Sequence, residues 1–169
     1  MFHRIAVVGG PGTGKTTLSN YLAKLYSLPV IHLDAINHLE GWTVRDSNER
    51  DQMISNCIQE EEWIIDGTYH ATLKERFKKA DLVIWLDYST FAQIKGVIKR
   101  LIKGHGKERE EIPGCKERFH FEFLKYVLSY NRKKRHFILD CLEETNTFSK
   151  AIIFKNRKQL NKWIEKKKA

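Results

Sequence analysis

Four glycines, Gly9, Gly10, Gly12 and Gly14, crowd into the six positions that follow the apolar run Ile5-Ala6-Val7-Val8. A short apolar run closed by glycine reads as a buried strand. Behind the glycines, Leu18, Leu22 and Leu25 recur at the spacing of one helix face. A strand that turns through glycine straight into a helix aims its backbone N–H groups and the helix N-terminus at one spot, which suits an anion. The chain meets the pattern G-x-x-x-x-G-K-[ST] at Gly9, Gly14, Lys15 and Thr16. Its chemistry is that of a phosphate cradle. Gly9, Gly10, Pro11, Gly12, Thr13 and Gly14 form the curl, and Lys15 offers a point charge to β- and γ-phosphates. The Thr16 hydroxyl offers a ligand to Mg²⁺, and Thr17 extends the helix end. The expected ligand is ATP with Mg²⁺.

The rest of the chain repeats the alternation. Val30-Ile31-His32-Leu33-Asp34, Trp63-Ile64-Ile65-Asp66, Asp81-Leu82-Val83-Ile84-Trp85-Leu86-Asp87 and Ala151-Ile152-Ile153-Phe154 read as four further strands. Helical spacing separates them: Met53, Ile54, Cys57 and Ile58; residues 72–79; Phe91, Ile94, Val97, Ile98 and Leu101; then 116–130, 131–143 and a last stripe of Leu160, Trp163 and Ile164. Asp46 with Glu49 predicts a capping box before the first of these helices. Alternating strands and helices imply parallel βαβ units in an α/β sheet covered on both faces. Ligands of such sheets sit beyond the carboxyl ends of the strands. With 169 residues and no linker or repeat, the chain reads as one domain.

Two carboxylates stand at those strand ends. Asp66, followed by Gly67, is placed to orient Mg²⁺-bound water. Asp34 is placed to take a proton from an acceptor hydroxyl or to bind acceptor or Mg²⁺, with a helix cap or turn as the alternative. Asp87, before Tyr88-Ser89-Thr90, reads as a loop and cap residue. Arg100, Lys103, Lys107 and Arg109 lie in or beside a glycine-rich polar stretch, residues 103–114, that suits a cationic lid over phosphates. Glu108, Glu110 and Glu111 interleave with these cations, as they would in an ordinary charged loop.

The formal charge is +9, densest at Asn131-Arg132-Lys133-Lys134-Arg135-His136 and Lys166-Lys167-Lys168. Such runs fit solvated helix faces, and a nucleic-acid partner is the alternative. Three scattered cysteines, Cys57, Cys115 and Cys141, argue for a reducing cytosol. No apolar stretch is long enough to span a bilayer, so a cytoplasmic protein is expected. Cys115 with His120 and His136 with Cys141 have a superficial zinc spacing, but without the short knuckle of a structural site. Phe119, Phe123, Tyr126 and Tyr130 read as a core-facing helix stripe, and His32 as a core histidine.

Several stretches together resemble the bacterial FlaR-type "DNA topology modulation" proteins, relatives of adenylate kinase and other small-molecule P-loop kinases. They are Gly9 to Thr17, His32-Leu33-Asp34, Trp63-Ile64-Ile65-Asp66-Gly67-Thr68-Tyr69, the Asp81 to Asp87 strand, residues 100–107, Pro113-Gly114-Cys115 and Phe121-Glu122-Phe123-Leu124. The resemblance implies a three-layer P-loop NTPase fold with five parallel strands in order 2-3-1-4-5. It implies an acceptor insert at about residues 35–62, a lid at about 103–115, and adenine held near Asn156 and Arg157. Adenylate kinases continue Asp-Gly-Phe-Pro-Arg, whereas this chain reads Asp66-Gly67-Thr68-Tyr69-His70. The arginine that grips a nucleoside monophosphate there is missing. The expectation is therefore an ATP/Mg²⁺ phosphotransferase with a small acceptor other than AMP, Lys15, Asp34, Arg100 and Arg109 being its catalytic candidates. The alternative is a nucleotide-dependent nucleic-acid regulator. The acceptor's identity, the choice between ATP and GTP, and the oligomeric state stay open at this level.

Overall fold

The computed structural model describes residues 2–109, 111–117 and 121–168, apart from the side chain of Lys168. In chain order it forms β1 (Arg4–Gly9), α1 (Lys15–Tyr26), β2 (Val30–His32), α2 (Leu33–Asn37), β3 (His38–Leu39), β4 (Thr43–Val44), α3 (Ser47–Gln59), β5 (Trp63–Asp66), α4 (Leu73–Lys79) and β6 (Leu82–Leu86). There follow α5 (Thr90–Gly104), β7 (Glu108–Arg109), β8 (Ile112–Lys116), α6 (Phe121–Glu144), β9 (Ala151–Phe154) and α7 (Arg157–Lys168). The main sheet has the order β2-β5-β1-β6-β9, all parallel. Counted within this sheet alone, that is the order 2-3-1-4-5. β3–β4 and β7–β8 are separate antiparallel hairpins.

The alternation along β1 divides the core. Ala6 and Val8 point to a layer with Ile54, Ile58, Leu73, Phe77, Ile138 and Leu142 from α3, α4 and α6. Ile5 and Val7 point to the other face, against Leu18, Leu22 and Leu160 of α1 and α7. Both faces of β1 are fully buried, which is why its sequence runs apolar without a polar break. No helix among the described residues is long and apolar enough to cross a membrane.

Several local expectations need correction. β2 stops at His32, and Leu33 and Asp34 open the short helix α2 instead of closing the strand. The two helices expected over 116–130 and 131–143 are one continuous α6 of 24 residues. No glycine or proline interrupts residues 121–144, so the charged run in the middle breaks nothing. The stretch 103–114 is not a plain loop: α5 runs through Lys103 and Gly104, and β7–β8 forms a hairpin beyond it. Asp46 caps α3 by accepting from Asn48 N and Glu49 N, but Glu49 pairs with Arg45 rather than closing the box. The Phe119 end of the aromatic stripe, His120 of the zinc spacing and Glu110 lie outside the described residues.

The charged positions of α6 serve the fold. Asn131 donates to Tyr88 O and accepts from Gln93 Nε2 at 2.7 Å. Lys134 contacts His70 Nδ1, and Arg135 forks onto Asp87 at 3.0 and 3.1 Å. Lys155 also pairs with Asp87. Asp87, 9% exposed, is thus an ion-pair anchor joining α6 to the end of β9 rather than a cap. Ser89 takes the cap role for α5 by accepting from Ala92 N.

α5 presses on the glycine loop. A Cβ on Gly96 would fall 2.0 Å from Gly12 O, and a Cβ on Gly10 would fall 2.1 Å from Gln93 Oε1. Only a bare helix surface permits this approach. Gly96→Ala is therefore expected to lower the unfolding free energy by about 1–3 kcal/mol, through overpacking. Urea titration reads this, and exposed Lys99→Ala on the same helix should change stability by less than about 0.5 kcal/mol.

Candidate functional site

The glycine loop has the backbone that its sequence demands. Gly12 and Gly14 sit at φ 70 and 93, in the left-handed region, and Gly14 caps the start of α1. Thr13 Oγ1 donates to Gly10 O at 2.8 Å and closes the loop from inside. Thr68 ties the loop's first residue to the end of β5: its hydroxyl accepts from Gly9 N and donates to Gly9 O. Arg157 Nη2 donates to Thr13 O at 3.3 Å, with its guanidinium against Gly14. Lys15 Nζ rests on Gly10 O at 3.0 Å, a neutral acceptor that a phosphate oxygen would outbid. Burial lowers the Lys15 pKa. Asp34 and Asp66 oppose that shift, and Arg100 and Arg109 add to it. Those four groups, drawn from four different segments, thus share the electrostatic neighbourhood of Lys15.

Asp66 is 4% exposed at the end of β5. Its Oδ2 stands 3.0 Å from His32 Nδ1, an ion pair when the imidazole is protonated. Burial, the largest single influence, would lower the His32 pKa, but Asp66, Glu111 and Asp34 together raise it above its ordinary value. His32 is therefore not a core histidine: it lines the cleft beside the carboxylates. A buried carboxylate next to a Lys-Thr loop suits a hard cation, with the Thr16 hydroxyl as a further oxygen ligand. Asp34 lies on α2 with its side chain 66% exposed, open to the cleft.

Glu117, only 6% exposed, follows β8 and binds both arginines expected to face the phosphates. Its Oε1 accepts from Arg100 Nε and its Oε2 pairs with Arg109 Nε, each at 3.1 Å. Arg109 reaches to 3.9 Å from Asp34 and lies over the Trp42 ring. The β7–β8 hairpin also docks on residues 39–42. Cys115 Sγ donates to Leu39 O and accepts from Trp42 N, while Trp42 Nε1 donates to Lys116 O at 2.9 Å. The hairpin thus lies across this segment between β3 and β4.

These elements wall a cleft of about 1280 Å³. That exceeds the usual size of a pocket for one small ligand and leaves room for two. The cleft gathers Lys15, Thr16, Asp34, Asp66, Arg100 and Arg109. Arg157 joins them through the loop. Asn156 instead turns its Oδ1 to Gln159 N and caps α7. Sequence reasoning missed Thr68, Glu117, Gln93 and Gly96, each of which acts through a partner distant in sequence. It also misassigned the aromatic stripe, since Phe123, Tyr126 and Tyr130 line the cleft, with Arg100 over Phe123.

No family model and no curated protein matches this chain. Its fold does match solved structures. Shikimate kinase from Bacteroides thetaiotaomicron aligns with TM-score 0.57 at 16% identity, over 98% of this chain and 96% of its own. Shikimate kinase from Acinetobacter baumannii, in complex with shikimate, gives TM-score 0.57 at 13% identity, over 83% and 80%. A gluconokinase from Sinorhizobium meliloti gives 0.53 at 14%, over 92% and 83%. The chain shares the α/β fold of these structures, a five-stranded parallel sheet between layers of helices.

Glu117→Gln removes the countercharge of two neighbouring guanidiniums. The expected result is a looser β7–β8 hairpin. Amide hydrogen exchange at Cys115 and Lys116 should quicken by roughly tenfold or more, about 1.4 kcal/mol of lost protection, while Ile64 and Ile65 stay unchanged.

Proposed function

We propose that this chain is an ATP-dependent phosphotransferase acting on a small hydroxyl-bearing acceptor. The observation that carries this reading is the convergence on Lys15 of a phosphate loop, two carboxylates (Asp34 of α2 and Asp66 at the end of β5) and two arginines beside the β7–β8 hairpin. A protein that only held nucleotide would need the loop but not the facing carboxylate Asp34. The fold's likeness to kinases of shikimate and gluconate supports the same division of the cleft into a nucleotide end and an acceptor end. The FlaR-type resemblance belongs to this reading as a sequence-level relationship to such kinases.

In this mechanism the loop amides and Lys15 hold the β- and γ-phosphates, and Thr16 and Asp66 are the residues that would hold Mg²⁺. When bound, that ion supplies charge neutralisation between the phosphates. Asp34 orients the acceptor hydroxyl and takes its proton as the new O–P bond forms and the β–γ bridging P–O bond breaks, releasing ADP. Arg100 and Arg109 each use Nε on Glu117, and Arg109 Nη1 lies 3.9 Å from Asp34, so the other terminal nitrogens steady the transferring group. Asn156 and Arg157 border the adenine end. The nucleic-acid alternative is not favoured, because Asn131, Lys134 and Arg135 of the basic run are bonded within the fold.

Lys15→Ala should abolish most ATP binding and turnover while leaving thermal unfolding within a few degrees, as the ammonium packs against no core residue. Unchanged ATP binding, measured by calorimetry, would refute the phosphate-loop assignment. Asp66→Asn should reduce Mg²⁺-dependent turnover by about 10²-fold or more, a typical loss for a displaced catalytic group. Nucleotide affinity in EDTA should change little. Equal losses with and without Mg²⁺ would make Asp66 a structural residue instead.

A further inference from the structure

The outer face of α5 is apolar and uncovered. Phe91 and Ile102 are each 77% exposed, and Ile98 between them is 48% exposed. Residues at i, i+7 and i+11 fall on one line of a helix, so these side chains form a stripe about 16 Å long. Gly96 and Val97 mark the other side, where the helix meets the glycine loop at Gly12. α6 runs antiparallel along α5: Asn131 is bonded to Thr90, and Arg100 lies over Phe123. α6 exposes Leu128 at 55%, between Lys125 and Arg132 at helical spacing. Beside the α5 stripe stand Lys95, Lys99 and Lys103, one per turn, exposed and without an ion pair among the described residues. From Thr90 to Gly104 the helix contains no acidic residue. The three lysines also line the cleft, so their row stands between the stripe and the cleft mouth.

An occupant of this face must supply an apolar interior and negative charge together. A second copy of the chain, seated face to face, would set the three lysines against their own counterparts, and like charges oppose that seating. A nucleic acid supplies the charge but leaves Phe91 and Ile102 in water. A bilayer with anionic headgroups meets both demands. Its acyl boundary takes the apolar tips, and the lysines reach the headgroup phosphates while their stems lie along the apolar surface. The stripe also stands on a convex helix, which a fluid surface accepts without a matching groove. We propose that α5 is a membrane-surface helix, and that the protein docks reversibly on anionic lipid with Phe91, Ile98 and Ile102 at the headgroup–acyl boundary. The helix lies on the bilayer and does not span it. The docking is independent of the phosphotransferase reading, and it sets the mouth of the cleft beside the headgroups.

Co-sedimentation of the full chain with vesicles tests this, using phosphatidylcholine alone and phosphatidylcholine mixed with phosphatidylglycerol. The anionic vesicles should bind more tightly, by about tenfold or more. The double variant Phe91→Ser/Ile102→Ser removes two exposed apolar tips and should weaken that binding by about tenfold or more. Lys95→Gln/Lys99→Gln should weaken it by about fivefold for each charge removed. Thermal unfolding of both variants should stay close to that of the parent, because all four side chains are exposed. Absence of binding to either vesicle overturns the proposal, and so does equal binding to both. Anionic binding that Phe91→Ser/Ile102→Ser leaves intact also overturns it, since the contact is then electrostatic alone. Sedimentation equilibrium without lipid decides the rival occupant. A dimer that the same double variant dissociates makes this face an interface between copies and overturns the membrane assignment.

Discussion

The backbone from Gly9 to Gly14 must hold its amides turned inward, and most of the described contacts around the cleft serve that one constraint. Amides gathered on one point repel each other until an anion arrives, so the curl needs outside support. Thr13 closes it on Gly10 O, Thr68 pins its first residue, and Arg157 holds Thr13 O. α5 leans on its outer side through Gly96 and Gln93. Gln93 is in turn fixed by Tyr88 O and Asn131. The loop is therefore linked to α6, an element far from it in sequence. Arg100, further along α5, carries the same rigid helix into the pair with Glu117. A shift of α5 would move the phosphate loop and the arginine clasp together.

The fold was legible because its signals are local and mutually consistent. The β1 run, the glycines and the Leu18–Leu22 spacing each specify neighbours in sequence, and parallel strands buried on both faces cannot hide their apolar character. The positions of Asp34 and Asp66 near the loop followed from the rule that strand ends gather at one edge. What escaped was tertiary. Glu117 is one acidic residue among several in a charged stretch, and only the folded chain shows that it is buried between two arginines. Gly96 sits inside a helix, where sequence reads it as a weak position rather than a contact surface.

The aromatic stripe shows why periodicity gives a face but not its partner. Phe123, Tyr126 and Tyr130 do share one side of α6. Tyr130 is buried, yet Tyr126 is 42% exposed, and the row borders the cleft. A helix of 24 residues is longer than the sheet it covers, so its N-terminal half projects past the strand ends, where ligands sit. The same geometry explains the basic run. Halfway along α6, Arg135 reaches Asp87 at the end of β6, and Lys134 reaches His70 beyond β5. Charges that look like a surface patch in sequence are the joints between a long helix and the edge of the sheet.

The distribution of charge across the cleft follows from these joints. Loop amides, the N-terminus of α1 and Lys15 gather positive charge at the glycine loop. Asp34 and Asp66 stand close enough to Lys15 to oppose the burial that pulls its pKa down. Two arginines side by side would depress each other further, and Arg100 does feel Arg109 in this way, after the larger effect of its own burial. Glu117 offsets that repulsion and lets both guanidiniums stand over one space. A single buried carboxylate thus permits a concentration of positive charge beside the glycine loop.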